Sequence, residues 1–224
     1  VLCLAFLLIA CDPKDEPLPD EQPSGSEEIE DVDYSQALII EDSTVIGVTQ
    51  YGKTLSKIVI PDGITSIGRS AFKQCYRLHN IKIPNSVTNI GSGAFSECIY
   101  LQDIEIPNGV TSIGASTFLD CSELTSVKFS DSVISIGNYA FKGCSSLTDI
   151  EIPRSVKKIG DGAFRDCSSL TNIEIPNSVT EIGDGAFRGC SKSTIYCETS
   201  SKPSEWDYNW NPSNRPVVWD YKNN

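Results

Sequence analysis

Apolar residues recur along this chain with a fixed period of 23 residues. Phenylalanine occupies positions 72, 95, 118, 141, 164 and 187, and cysteine follows three positions later at 75, 98, 121, 144, 167 and 190. Glycine, always after isoleucine, recurs at 68, 91, 114, 137, 160 and 183. These copies share the pattern LxxIxIPxxVTxIGxxAFxxCxx, with Ser130 once replacing the proline. In-phase repetition at this period indicates a solenoid whose stacked units share one core.

Each repeat predicts one short strand and one tight turn. In the segment Asn80–Ile83 the isoleucines lie two residues apart, as on the buried side of a strand, and Pro84 ends the strand because it lacks a backbone donor. We expect Gly91 to adopt a positive φ in a turn. Ala94, Phe95 and Cys98 share one side of a short helical or 3₁₀ turn.

Residues 55–192, six 23-residue repeats, resemble the BspA-like (Treponema-type) leucine-rich repeats of Bacteroidetes and other bacterial surface proteins. The resemblance implies an α/β-type, right-handed solenoid with a parallel concave β-sheet and short helical or 3₁₀ turns on the convex side. It also implies adhesion or another form of protein binding, with host matrix or other bacteria as partners, and no catalysis. One fold serves many sites, so the resemblance names no ligand.

The two ends of the solenoid need caps because the first and last coils would otherwise expose apolar edges. Residues 37–54 alternate enough to form one or two strands, and we assign them as an N-terminal cap. Residues 193–224 contain Trp206, Trp210 and Trp219, and we assign them as a Trp-rich C-terminal cap. The alternative is that these tryptophans form a sugar-binding platform.

The N-terminal segment predicts a lipid anchor. Residues 1–10 fit the apolar core of a signal peptide, as a fragment with residues missing before Val1, and Leu8–Cys11 resembles a bacterial lipobox, which implies acylation of Cys11. An ordinary signal peptide followed by a chance cysteine is the alternative. Residues 12–42 hold twelve acidic residues and one lysine, a net charge of −11. We therefore interpret 11–36 as the lipidated cysteine and an acidic disordered spacer on a protein of the outer membrane or cell surface.

Catalysis and metal binding find little support in the sequence. Zinc sites need converging ligands, whereas the cysteines occur once per repeat and His79 is the only histidine. A nucleophilic cysteine needs a base, and the position of His79 predicts that it faces outward. We predict buried free thiols that behave as small hydrophobes, and no catalytic site, metal site or cofactor.

Two surfaces are candidate binding sites. On the predicted concave face, Lys82, Glu105, Lys128 and Glu151 alternate in sign along the column two residues before each proline position. Glu174 breaks this alternation beside Glu151. We predict an acidic patch for a basic partner or calcium, comprising Asp149, Glu151, Asn172 and Glu174.

The second candidate surface is an apolar cluster in the loops of the first three coils, whose alternative is half-buried packing on the convex side. It comprises Tyr76, Ile99, Tyr100 and Leu119.

The sequence thus predicts a monomeric, non-catalytic surface lipoprotein that binds an unknown protein or glycan. The alternatives are a carbohydrate-capture lipoprotein that uses its C-terminal aromatic residues, and a structural component of the cell envelope. Residues 43–224 carry a net charge of only −1 (eighteen acidic and seventeen basic residues), which gives no argument for nucleic-acid binding.

Overall fold

The computed structural model describes residues 36–222 as a solenoid of short, mostly parallel strands. The predicted signal peptide, the lipidation site at Cys11 and nearly all of the acidic spacer lie outside these residues. The strands are β1 (Leu38–Glu41), β2 (Thr44–Val48), β3 (Lys57–Val59), β4 (Ser66–Ile67), β5 (Asn80–Lys82), β6 (Asn89–Ile90), β7 (Asp103–Glu105), β8 (Ser112–Ile113), β9 (Ser126–Lys128), β10 (Ser135–Ile136), β11 (Asp149–Glu151), β12 (Lys158–Ile159), β13 (Asn172–Ile175), β14 (Glu181–Ile182), β15 (Thr194–Cys197) and β16 (Val217–Val218). A short 3₁₀ turn, Gly52–Thr54, lies between β2 and β3.

Each repeat contributes one strand to each of two sheet faces. The IxI segments form the long-strand face, in which β3 pairs with β5, β7 with β9, and β11, β13, β15 and β16 pair in that order. This is the face predicted to be concave. The VTxI segments form the short-strand face, with the orders β1-β2-β4-β6 and β8-β10-β12-β14. Parallel pairing joins residues one repeat apart, such as Ile150 with Ile173, so every coil presents the same position to its neighbour.

The AFxxC segments form tight turns rather than regular helices. Within a turn the Cys75 N–H donates to the carbonyl of Phe72 at 3.2 Å, the i to i+3 spacing of a 3₁₀ turn. The Phe72 N–H donates instead to Ala94 O of the next coil at 2.8 Å. These segments therefore stack through their backbones as the strands do, which explains why the predicted helical turns are minor.

The core is a column of stacked phenylalanines. The six repeat phenylalanines are fully buried, and neighbouring rings are nearly parallel with centroids 5.2 to 5.6 Å apart. The repeat cysteines lie beside this column, and five of them donate a hydrogen bond to a phenylalanine carbonyl of the preceding coil. For example, Cys144 Sγ lies 3.2 Å from Phe118 O. The thiols thus occupy a second lone pair of the turn carbonyls as well as filling space.

The repeated glycine after isoleucine has a different role from the predicted one. Gly91 is not among the residues with positive φ, so our turn prediction was wrong for it. A Cβ at Gly91 would lie 2.6 Å from the backbone nitrogen of Arg69 and 2.7 Å from the carbonyl carbon of Gly68. Glycine is needed there because adjacent coils approach too closely for any side chain.

The positive φ angles occur instead at two other positions of each turn. One lies two residues before the repeated phenylalanine, such as Ser116 at 56° and Gly162 at 55°, and the other lies two residues after it, such as Asp120 at 57°.

Both ends of the solenoid are closed by additional strands. At the N-terminal end, β1 and β2 form an antiparallel hairpin, and β2 pairs with β4 of the first repeat. At the C-terminal end, β15 extends the long-strand face although it pairs one residue out of the 23-residue register, with Thr194 opposite Asn172.

Candidate functional site

The four residues of the predicted acidic patch line one groove on the long-strand face. Strand pairing places Asp149 opposite Asn172 and Glu151 opposite Glu174 in β11 and β13. The groove has a volume of about 750 Å³, and its walls also include Asp131, Arg154 and Glu198. Five carboxylates and one guanidinium therefore surround one depression. Strand alternation explains the arrangement. Residues two apart along one strand point to the same side of the sheet, and in-register parallel pairing puts their partners on that side too.

Glu198 reaches the groove from the C-terminal segment. Both terminal nitrogens of Arg154 donate to its carboxylate, and the Asn177 N–H donates to Glu198 Oε2 at 2.9 Å. Partial burial acts to raise the pKa of Glu198, but the Asn177 N–H and the Arg154 guanidinium outweigh it and hold the pKa below its usual value. Arg154 and Glu198 thus form one wall of the groove as a bidentate ion pair.

Tyr221 also reaches this face from the C-terminal segment. Its hydroxyl donates a hydrogen bond to Oε1 of Glu174 on β13 at 3.2 Å. Its ring packs on Tyr196 with centroids 4.8 Å apart. Burial raises the pKa of Tyr221, and the charge of Glu174 adds to that shift. The repeat pattern did not reveal Arg154, Glu198 or Tyr221, because two of them lie beyond the last repeat and their partners are 44 and 47 residues away.

The row of alternating charges on the long-strand face adds little to the stability of the fold. Lys128 Nζ lies 2.7 Å from Glu105 Oε1, as the alternating signs predicted, but both side chains are about 70% exposed. Exposed pairs of this kind contribute little to stability. Within residues 36–222 no group of three or more His, Cys, Asp or Glu side chains is arranged to hold a metal ion, so the calcium version of the acidic-patch hypothesis gains no geometric support.

The predicted apolar cluster is partly exposed. The exposed fractions of Tyr76 and Tyr100 are 46% and 48%, whereas Ile99 and Leu119 are half-buried. The ring of His79 stacks on Tyr100, with centroids 5.4 Å apart and an interplanar angle of 7°. The sequence correctly placed His79 on the surface but did not show that it belongs to this aromatic cluster.

A sequence profile of the BspA type leucine rich repeat region matches six copies in this chain, over residues 49–150 and 134–205. The chain belongs to the BspA-type leucine-rich repeat family.

The chain is also similar to solved structures of leucine-rich repeat proteins. A protein from Bacteroides ovatus is 29% identical, with a TM-score of 0.51, over 74% of this chain and 54% of its own length. One from Eubacterium ventriosum is 25% identical, with a TM-score of 0.59, over 72% of this chain and 48% of its own. One from T. pallidum is 30% identical, with a TM-score of 0.46, over 68% and 62%. The chain thus spans about half to three fifths of the length of these proteins, and a search of curated proteins gave no match.

The tryptophans of this BspA-type chain cover the last coil. Trp206 and Trp210 are buried, Trp206 Nε1 donates to Val179 O at 3.3 Å, and Trp210 packs edge-on against Phe187 at 6.0 Å. Two buried indoles cannot offer their faces to a sugar. The proposed platform would therefore have to rely on other aromatic side chains of this segment, such as the 91%-exposed Tyr208.

Five of the six repeated cysteines have a raised pKa, and only that of Cys75 is lowered, through its hydrogen bond with Cys98. All seven cysteines within residues 36–222 are buried and form no disulfide. Burial raises the pKa of Cys121 and of Cys190 to about 12, so these thiols stay protonated at neutral pH. In the same part of the chain, no helix is long and apolar enough to span a membrane.

Proposed function

We propose that this chain is a lipid-anchored surface protein whose repeat domain binds a basic segment of a protein partner in the groove on the long-strand face. Leucine-rich repeat proteins of this family are typically scaffolds for protein interactions. The observation that carries the proposal is the groove itself, a preformed depression of about 750 Å³ on an exposed sheet face. A rigid site of this kind binds without a large ordering cost.

Charge complementarity defines the partner. The single guanidinium in the groove, that of Arg154, is already held by Glu198, and the wall carboxylates Asp131, Asp149 and Glu151 leave a negative surface. An extended segment rich in lysine or arginine would place its cations against these carboxylates, which favours encounter and fixes orientation.

Anchoring and display are the parts of the proposal that rest on Cys11 and the acidic spacer. We expect Cys11→Ser to release the protein from the membrane fraction. We also expect protease treatment of intact cells to remove the repeat domain from the wild-type protein. Protection of the domain in intact cells would contradict surface display and leave a periplasmic location, whatever the result for the groove.

The groove is tested by titrating the protein with an oligolysine peptide. The variant Asp149→Asn/Glu151→Gln should bind at least tenfold more weakly than wild type. The control Asp62→Asn/Glu123→Gln removes the same charge from exposed positions outside the groove and should bind like wild type. Equal loss in both variants would show non-specific attraction and refute the groove as the site.

The aromatic cluster supports a second candidate surface for the same class of function. The stacked rings of His79 and Tyr100 and the separate ring of Tyr76 are exposed, and tyrosine is among the residues that contribute most to binding energy at protein interfaces. The variant Tyr76→Ser/Tyr100→Ser should fold, because later repeats carry Ser145 and Ser146 in these columns. Capture of a partner that survives the groove variant and is lost in this one would move the interface to the first two coils.

Two alternatives have distinct readouts. A carbohydrate-capture role predicts a glycan-array signal that is lost when the C-terminal aromatic residues are substituted. The burial of Trp206 and Trp210 argues against this role. A structural role in the envelope predicts co-purification with an envelope protein and no external ligand.

A further inference from the structure

A column of three cations lies on the turn side of the solenoid, on a surface separate from the groove. Lys142, Arg165 and Arg188 directly follow three successive core phenylalanines, whose ring centroids are 5.4 and 5.6 Å apart. The cations therefore repeat at the coil spacing. The same position carries Lys73, Ser96 and Leu119 in the earlier coils, so the solenoid does not require a positive charge there.

Two of these three charges, those of Lys142 and Arg188, have no ion-pair partner among the described residues. Arg165 Nε lies 3.4 Å from Asp166 Oδ2, but the buried Nε atom has no hydrogen-bond partner. Like charges in adjacent coils repel each other, so an anionic ligand that bridges them would be stabilised.

An exposed aromatic ring stands at one end of this column. Tyr139 is 40% exposed, and its φ of 57° lies in the left-handed region, which is uncommon for a bulky residue. Other coils place serine or glycine at this position. The ring covers Gly162 of the next coil, where a Cβ would lie 2.5 Å from Tyr139 Cε1, and Lys142 Nζ is 6.0 Å from the ring centroid. The turn imposes a positive φ at this position in every coil, but it does not require an aromatic side chain there, and the ring leaves part of its surface open to a ligand.

We propose that the turn-side strip, defined as Tyr139, Lys142, Arg165 and Arg188, binds an acidic polysaccharide with sulfate or carboxylate groups on successive sugars. The apolar face of one sugar ring would pack on Tyr139, and the anionic groups would pair with the cations. Arginine suits this role because its planar guanidinium binds sulfate or carboxylate with two hydrogen bonds. The coil spacing is close to the advance of one sugar unit along an extended chain.

The surroundings of the strip favour a polysaccharide over other polyanions. Asp161, Asp166 and Asp184 lie close to the strip in sequence and weaken its field, and the strip offers only three cations. Nucleic-acid binding depends mainly on phosphate contacts, often about six to ten of them. A sugar chain gains part of its affinity from stacking on Tyr139, which does not depend on charge.

The test compares binding of dextran sulfate and unmodified dextran to the purified full chain in about 150 mM salt, where the field of distant charges is screened. Dextran sulfate should bind and dextran should not. The variant Arg165→Ser/Arg188→Ser should lose at least tenfold in affinity, and Tyr139→Ser should lose severalfold. Serine occurs naturally in both columns, as Ser96 and Ser116, so both variants should fold, which circular dichroism verifies.

Matched controls separate this site from general attraction. Lys57→Ser/Lys82→Ser removes the same charge from the long-strand face and should bind dextran sulfate like wild type. The proposal is overturned if this control weakens binding as much as the arginine variant, or if wild type does not bind dextran sulfate. It is also overturned if an oligothymidylate or anionic vesicles bind more tightly than dextran sulfate with the same dependence on Arg165 and Arg188. The turn-side strip and the groove lie on separate surfaces, so the outcome of this test does not change what the oligolysine titration says about the groove.

Discussion

The close approach of successive coils leaves no room for a side chain in the repeated glycine column. We predict that alanine substitution in this column lowers the free energy of unfolding, least at Gly114, more at Gly137 and most at Gly91. A Cβ would meet its nearest backbone atom at 3.2 Å at Gly114, at 2.8 Å at Gly137 and at 2.6 Å at Gly91. At all three positions the nearest atoms belong to the backbone of the preceding coil, which cannot rotate away as a side chain can, so the distance alone sets the order.

The magnitude follows from overpacking and from the hydrogen bond at the same place. Overpacking in a tight interior costs about 1–3 kcal/mol. Separating the coils at Gly137 would also weaken the 2.8 Å hydrogen bond from its N–H to Ile113 O, worth about 0.5–1.5 kcal/mol. We therefore expect about 1 kcal/mol for Gly114→Ala and about 3 kcal/mol or more for Gly137→Ala and Gly91→Ala.

Equilibrium unfolding in urea, followed by circular dichroism and by fluorescence of the C-terminal tryptophans, measures these differences. Coincident transitions are needed for a single free energy, because long repeat arrays can unfold in parts. Gly63→Ala is the control: its φ is 88° and a Cβ there has no neighbour within 4 Å, so it reports backbone strain alone, about 1 kcal/mol. If Gly91→Ala costs no more than Gly63→Ala, the close-approach explanation is refuted.

Two further predictions concern titratable groups. With pKa values of about 12, we expect Cys121 and Cys190 to resist alkylation at pH 8 in the folded protein and to react fully after denaturation, as peptide mass spectrometry would show; rapid labelling of these two residues in the native protein would contradict the burial of their thiols. The depressed pKa of Glu198 contributes stability that is present above the unfolded-state pKa and is lost as the pH falls through the folded-state value. Glu198→Gln should therefore lower stability by about 1 kcal/mol at pH 7 and by progressively less as the pH falls through the folded-state pKa, and a pH-independent difference would exclude this ion pair as the cause.

Much of the site could be predicted from strand alternation. Asp149, Glu151, Asn172 and Glu174 face the same side because residues two apart on neighbouring parallel strands do so, and all four line the groove. The positions of Glu198 and Tyr221 could not be predicted. Both residues lie in the C-terminal segment, where no repeat fixes the register.

The roles of individual repeat residues were less predictable than their positions. A repeated glycine can be required either by a positive φ or by a neighbouring backbone that leaves no room for a side chain. At Gly91 the second reason applies, and it is visible only once the coils are stacked. The cysteines were correctly expected in the core, but their hydrogen bonds to phenylalanine carbonyls of the preceding coil depend on the exact offset between coils.

The sequence by itself determined the solenoid, because a 23-residue period with one apolar side can bury that side only by stacking each unit on the next. It also determined which columns face the core and which face solvent. Only the tertiary structure decided how closely the coils approach, which side chains the C-terminal segment brings to the groove, and that Tyr139 lies beside a column of cations. Those features depend on distances between coils, and a period along the chain does not contain them.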